Sequence, residues 1–288
     1  MMTATPVTKQ IVIILAVVAL GFFLFTRDIK GLVKPKQETT GVPASGQLTS
    51  AGSTINLTEV STAAKNSINT NIAAEITTLE DAYKSVSEDD KVNAAKVLAQ
   101  KWDDVEQTVP SALYLEIIAN KERNLDSWLA AGGRLMKAFD TTQDSLISPV
   151  LLQKANTAYT NAVALDSANL EAKTGLGITI VNGMGAPMSG IAMLLDVVKK
   201  DPSNLKASMS LGTFAIKSGQ FDKAITRFKG IIAQRPSPDA YFYLATAYEN
   251  LGENKEAVDA YLNSKKLAAN PTLSNFIDKK VAELKNKN

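Results

Sequence analysis

Apolar positions follow three different rules along this 288-residue chain. Residues 11–25, IVIILAVVALGFFLF, are apolar without interruption. As a helix this run is about 22 Å long at about 1.5 Å per residue, against a hydrocarbon core of roughly 30 Å. Val7, Thr26 and a snorkelling Lys9 lengthen it. A secretory signal peptide has the same outline, but TRDIKGLVK follows where small residues for cleavage belong. We therefore expect a tail over 1–10 and a single uncleaved transmembrane anchor over 11–26. Residues 27–56 then read as a basic juxtamembrane segment and a flexible linker, since KPKQETTGVPASGQLTSAGSTIN is nearly free of large apolar side chains.

From residue 57 the apolar positions become periodic. Leu57, Val60, Ala64, Ile68, Ile72, Ile76, Leu79, Tyr83 and Val86 recur at a mean step of about 3.6. This predicts one long amphipathic helix over 57–87. Its stripe has four possible uses: packing on the following domain, filling that domain's groove, joining a second copy in a homo-oligomer, or binding a partner protein.

Beyond residue 90 the pattern repeats itself. Asn169-Leu170-Glu171-Ala172 returns as Asn204-Leu205-Lys206-Ala207 at an offset of 35. At the next offset of 33, Leu211 matches Leu244, Gly219 matches Gly252, Ala224 matches Ala257 and Phe228 matches Tyr261. Pro202, Pro236 and Pro271 close successive units, because proline cannot continue a helix. Small residues (Gly177, Gly212, Ala224, Ala257) let paired helices approach, and large ones fill the layer between neighbours. The pattern predicts an all-α helix–turn–helix solenoid. Its units run over about 90–124, 125–169, 170–204, 205–237 and 238–271, with a capping helix and tail over 272–288.

The unit Leu211-Gly212…Gly219-Gln220-Phe221…Ala224…Phe228…Pro236 resembles the tetratricopeptide repeat family, and Tyr241…Leu244…Tyr248…Gly252…Ala257…Tyr261 is nearly as close. The unit at 170–204 departs from the family pattern by one extra residue around Gly183–Pro187 and by Gly190 where the family has Ala. Upstream, Trp128…Gly132 and Ala155…Tyr159…Ala162 look like the two helices of a further unit, split by an insertion within 140–150. The layout is similar to membrane-anchored repeat proteins of Gram-negative bacteria. The resemblance implies a binding scaffold whose first helices line a concave groove. The candidate protein-binding residues are Leu129, Met136, Ile178, Val181, Met209, Ile216, Phe242 and Glu249. This mostly apolar set suits an amphipathic helix or an extended apolar peptide. The convergent Lys, Asn and Arg that grip an acidic chaperone tail are missing.

Composition narrows the chemistry. The chain has no Cys and no His, which removes disulfides, thiol nucleophiles, imidazole bases and the usual zinc ligands. Residues 1–56 carry +3 of the net +2, leaving the body at −1. Such a body lacks the basic face that nucleic acid demands. Ser203-x-x-Lys206 matches a penicillin-binding motif, but Ser203 follows Asp201-Pro202, where a helix N-cap is expected. Gly183-x-Gly185 follows no strand, Asp140/Gln143/Asp144 lack calcium-loop spacing, and the pairs Asp89-Asp90 and Asp103-Asp104 fit helix ends. Asn56-Leu57-Thr58 is a glycosylation pattern that matters only in a source with that pathway. No catalytic residue, cofactor or metal is expected.

The expected role is a membrane-anchored adaptor, an accessory subunit of an envelope or protein-export complex. The alternative is a self-assembling structural oligomer. The expected location is the inner membrane. Four basic residues just after the apolar run argue for a body inside. The short N-terminal tail and the export-type layout argue for a periplasmic body, which we favour.

Overall fold

The computed structural model describes residues 55–286, and within them every regular element is an α-helix. In chain order these are α1 (Leu57–Lys65), α2 (Thr70–Ser85), α3 (Lys91–Asp104), α4 (Thr108–Glu122), α5 (Leu125–Thr141), α6 (Ser148–Leu165) and α7 (Leu170–Gly183). Then follow α8 (Pro187–Lys200), α9 (Leu205–Lys217), α10 (Phe221–Gln234), α11 (Pro238–Leu251), α12 (Asn254–Leu267) and α13 (Pro271–Lys285). None of the described helices is long and apolar enough to cross a membrane. The anchor expected over 11–26 and the linker after it lie outside the described residues.

Asparagine starts many of these helices. The side chains of Asn56, Asn69, Asn124, Asn169, Asn204 and Asn270 each accept a backbone N–H of the first turn. The paired residues Asn169 and Asn204 do so at the same place in their units, from Ala172 and Ala207, both at 2.9 Å. A free first-turn amide is satisfied in this way, at a gain of about 1 kcal/mol per cap. Asn204, not Ser203, therefore caps α9, and Ser203 Oγ donates to Asp201 instead. Between paired helices, Gly219 and Gly252 take the left-handed turn, with φ near +73° and +77°.

The single long helix expected over 57–87 is two helices. Asn66 ends α1, Ser67 Oγ donates back to Ala64 O at 2.8 Å, and Asn69 caps α2. Asn and Ser compete with the helix for backbone hydrogen bonds, and here three of them fall within four residues. The chain turns there, α1 packs on α4 and α2 on α3. The apolar stripe survives the break: Ala64 and Ile76 are buried against Leu98, Trp102 and Ile118, with Ile68 and Ile72 alongside. The stripe is thus internal. Within 57–86 only Ser61, Ala64, Ile76 and Glu80 are buried, and the outer faces of α1 and α2 remain exposed.

Three apolar clusters succeed one another along the stack. The first joins α1–α4, the second runs from α4 to α9, and the third runs from α9 to α13. Each helix pair buries its face against the next pair, as a solenoid requires.

Candidate protein-binding groove

The first helices α5, α7, α9 and α11 line one cavity of about 700 Å³. Met136, Ile178, Met209, Ile216 and Phe242 form much of its wall, and Thr213, Phe214 and Tyr243 join them. Three of the sequence-predicted residues lie elsewhere. Val181 points from α7 towards α8, where its methyl group closes on Gly190. Leu129 packs on the central core cluster. Glu249 Oε2 accepts the Tyr261 hydroxyl at 2.8 Å, and its Oε1 pairs with Lys280 of α13 at 2.8 Å. No residue of α1 or α2 lines the cavity, so the groove is not filled by that segment.

Sequence reasoning placed Tyr159 on a second helix and assigned it no part in the groove. Its ring passes between Gly132 of α5 and Gly175 of α7, where a Cβ would lie 2.9 Å and 2.2 Å away respectively. Through that gap the side chain of α6 reaches the cavity wall. The ring is fully buried, and its hydroxyl has no hydrogen-bond partner. Burial pushes the phenol well above its ordinary range, with Glu171 adding to the effect, so the hydroxyl stays protonated and is a donor. The available signal was the Ala155…Tyr159 spacing, which repeats in Ala224…Phe228 and Ala257…Tyr261.

The charged side chains on the cavity wall are Asp140, Lys206 and Lys217. Asp140 sits at an exposed rim, yet the crowding of its carboxyl raises its pKa above the ordinary carboxylate value. Lys217 and then Lys206 oppose that rise. Lys217 Nζ also lies 5.6 Å above the Phe214 ring centre. The site is therefore an apolar trough with one buried donor and a few charges at its edges. Nothing in it forms a nucleophile–base pair.

Stacked helix pairs with a shared concave face define a helical-repeat scaffold. The tetratricopeptide repeat family matches residues 211–271, the segment from α9 to the start of α13. No curated protein sequence matches the chain. Among solved structures, it is similar to MamA 41-end from Desulfovibrio magneticus RS-1, at 17% identity over 62% of this chain and 95% of that one, with a TM-score of 0.47. A second MamA structure gives 20% identity over 62% and 91%, with a TM-score of 0.45. YrrB, described as a TPR protein with an unusual peptide-binding site, gives 14% over 70% and 97%, with a TM-score of 0.43. These scores are too low to carry more than the family match does.

Proposed function

We propose that this chain is a membrane-anchored scaffold that holds a protein partner in the groove between α5 and α11. The observation that carries the reading is the cavity itself. Apolar side chains from four successive first helices converge on one trough, and no described segment of the chain covers it. Exposed apolar concavities of this size are where partner side chains gain most from leaving water. The basic segment after residues 11–26 suits a membrane surface, and the Gly/Ser/Thr-rich linker suits a domain held away from it. We place the scaffold in an envelope or protein-export complex of the inner membrane, with the body in the periplasm.

A photoreactive residue at Ser210 on the cavity wall, in the full chain in native membranes, tests the groove. A stoichiometric crosslinked partner is expected, and its loss in Met209→Glu/Phe242→Glu while the helical melt persists. Unchanged crosslinking in that variant, or a homo-oligomer with nothing attached, overturns the reading. Protease added to spheroplasts tests the orientation: the body should be digested, and full protection would place it inside.

A further inference from the structure

A second cavity, of about 260 Å³, lies between α1, α2 and α4, away from the groove. Leu57, Ser61 and Lys65 line it from α1, Glu80 and Tyr83 from α2, and Tyr114 from α4. Its polar groups hold one another in place. Glu80 accepts Ser61 Oγ at one carboxylate oxygen and Lys65 Nζ at the other, the latter at 2.7 Å. Lys65 Nζ also donates to Thr77 Oγ1 at 3.2 Å. A carboxylate has about four acceptor positions and an ammonium three donors. Glu80 therefore keeps unused acceptor positions, and Lys65 keeps one unused N–H. Tyr114 adds a second free donor. Its side chain is only 3% exposed, with the ring edge-on to Tyr83, and among the described residues no atom accepts from its hydroxyl. The Tyr159 hydroxyl is sealed from solvent, whereas the Tyr114 hydroxyl is not. Burial, with the Glu80 charge and Tyr83 adding to it, holds the Tyr114 phenol well above its ordinary range, so it stays a donor.

We propose that this cavity binds one uncharged sugar ring, with neighbouring ring hydroxyls donating to Glu80 and accepting from Lys65 and Tyr114. The match is one of hydrogen-bonding type. A hydroxyl both donates and accepts, so two adjacent hydroxyls answer a wall that offers unused donors beside unused acceptors. A carbonyl answers only the donors, and an ammonium only the acceptors. Charge points the same way. Lys65 and Glu80 cancel, and Lys84 at the edge is paired with Asp81 at 2.9 Å. An ionic ligand of either sign would have to break the largely buried Lys65–Glu80 pair. Leu57 and the Tyr83 ring supply an apolar part of the wall for the C–H groups of the ring. The volume holds about nine waters at about 30 Å³ each, which suits a single ring and is too small for a peptide helix. The site does not depend on the groove holding a partner.

The probes are glucose, galactose, mannose and N-acetylglucosamine, with glucuronic acid and glucosamine as negatively and positively charged twins. Each neutral sugar is run free and as its methyl glycoside, which separates a free sugar from the end of a glycan chain. Saturation-transfer NMR with the full chain, in a detergent that is not a glycoside, should show millimolar binding of at least one neutral sugar. Both charged twins should bind at least about tenfold more weakly. Tyr114→Phe, which keeps the ring, should weaken binding of the neutral sugar about three- to tenfold. In the parent, saturating sugar should slow amide exchange in α1 and α2 and leave α9–α11 unchanged, a readout that needs no variant. Absence of transfer to all the neutral sugars overturns the proposal. Equal or tighter binding of a charged twin overturns the uncharged ligand. An unchanged affinity in Tyr114→Phe, or slowing confined to the groove helices, overturns the site. None of these failures bears on the groove reading, which the Ser210 crosslink tests by itself.

Discussion

At Gly175 two opposed effects meet. Alanine favours a helix interior over glycine by about 1 kcal/mol. A Cβ there would fall 2.2 Å from the Tyr159 ring, which is held on its other side by Gly132. The ring has nowhere to move, and overpacking of this kind costs typically about 1–3 kcal/mol or more. Gly175→Ala should therefore lower stability in a urea titration, and a shift to higher midpoint would contradict the packing described. Gly230 is the control: it lies mid-helix in α10 with open space around its Cβ direction. Gly230→Ala should raise stability by about 0.5–1 kcal/mol. Asp140 gives a pH prediction. Desolvation raises its pKa in the fold, so the folded protein holds this proton more tightly than the unfolded chain does. Its contribution to stability is intact below the carboxylate range and is lost as the pH rises through it. Asp140→Asn should melt higher than the parent at pH 7, and the gap should close below about pH 3. A gap that persisted at low pH would point to another cause.

At the scale of elements, the docking of α1 on α2 turns on Glu80. Its Oε2 pairs with Lys65 at 2.7 Å, its Oε1 accepts from Ser61 Oγ, and both charged side chains are largely buried. Removing one partner of a buried pair is far worse than replacing both. Glu80→Ala should cost about 3 kcal/mol and expose the α1 amides to exchange, whereas Lys65→Met/Glu80→Leu should recover most of the loss. What the sequence showed of these elements depended on where the signal was local. The Leu-Gly, Ala…Phe pattern of the last repeats lies within single units, and so do Gly219 and Gly252 at their turns, whereas the cap of α9 was expected one residue early, at Ser203 rather than Asn204. The break at 66–69 was hidden, because the apolar period runs through it and Ile68 still packs on the core. Only the cluster of Asn66, Ser67 and Asn69 marked it. Gly190, a departure from the family pattern, has its reason in a partner 13 residues upstream: a Cβ there would lie 2.6 Å from the carbonyl oxygen of Gly177. The groove was partly legible, since first-helix positions at repeat spacing converge wherever the stack is regular. Val181 departs because the close approach at Gly190 draws it towards α8. Tyr159 was illegible because its path depends on Gly132 and Gly175, which are far apart in sequence and belong to different units.

For the molecule as a whole, the ordering of the three apolar clusters predicts how it comes apart. Each helix pair is held by its neighbours alone, so stability passes along the stack by contact between adjacent units. The central cluster from α4 to α9 has a neighbour on both sides, while the end clusters have one each. Native-state hydrogen exchange should therefore show the slowest amides in α5–α7 and progressively faster ones towards α1 and α13. The capping helix tests the coupling directly. Ile277 is fully buried and packs in the cluster that includes Val258 and Tyr261. Ile277→Ala should remove about 2–5 kcal/mol from that end. If stability is local, protection falls in α11–α13 and hardly changes in α1–α3, where no atom of the last cluster reaches. A uniform loss across all described helices would mean one cooperative unit instead. The consequence for binding is concrete. Tyr159, Met136 and Ile178 belong to the well-supported centre, while Met209, Ile216 and Phe242 pack on the C-terminal cluster. An occupant that bridges both halves ties the weaker end to the stronger one. Binding of a protein partner in the trough should then slow exchange in α11 more than in α5. Equal slowing in the two helices would show that the occupant does not span the trough.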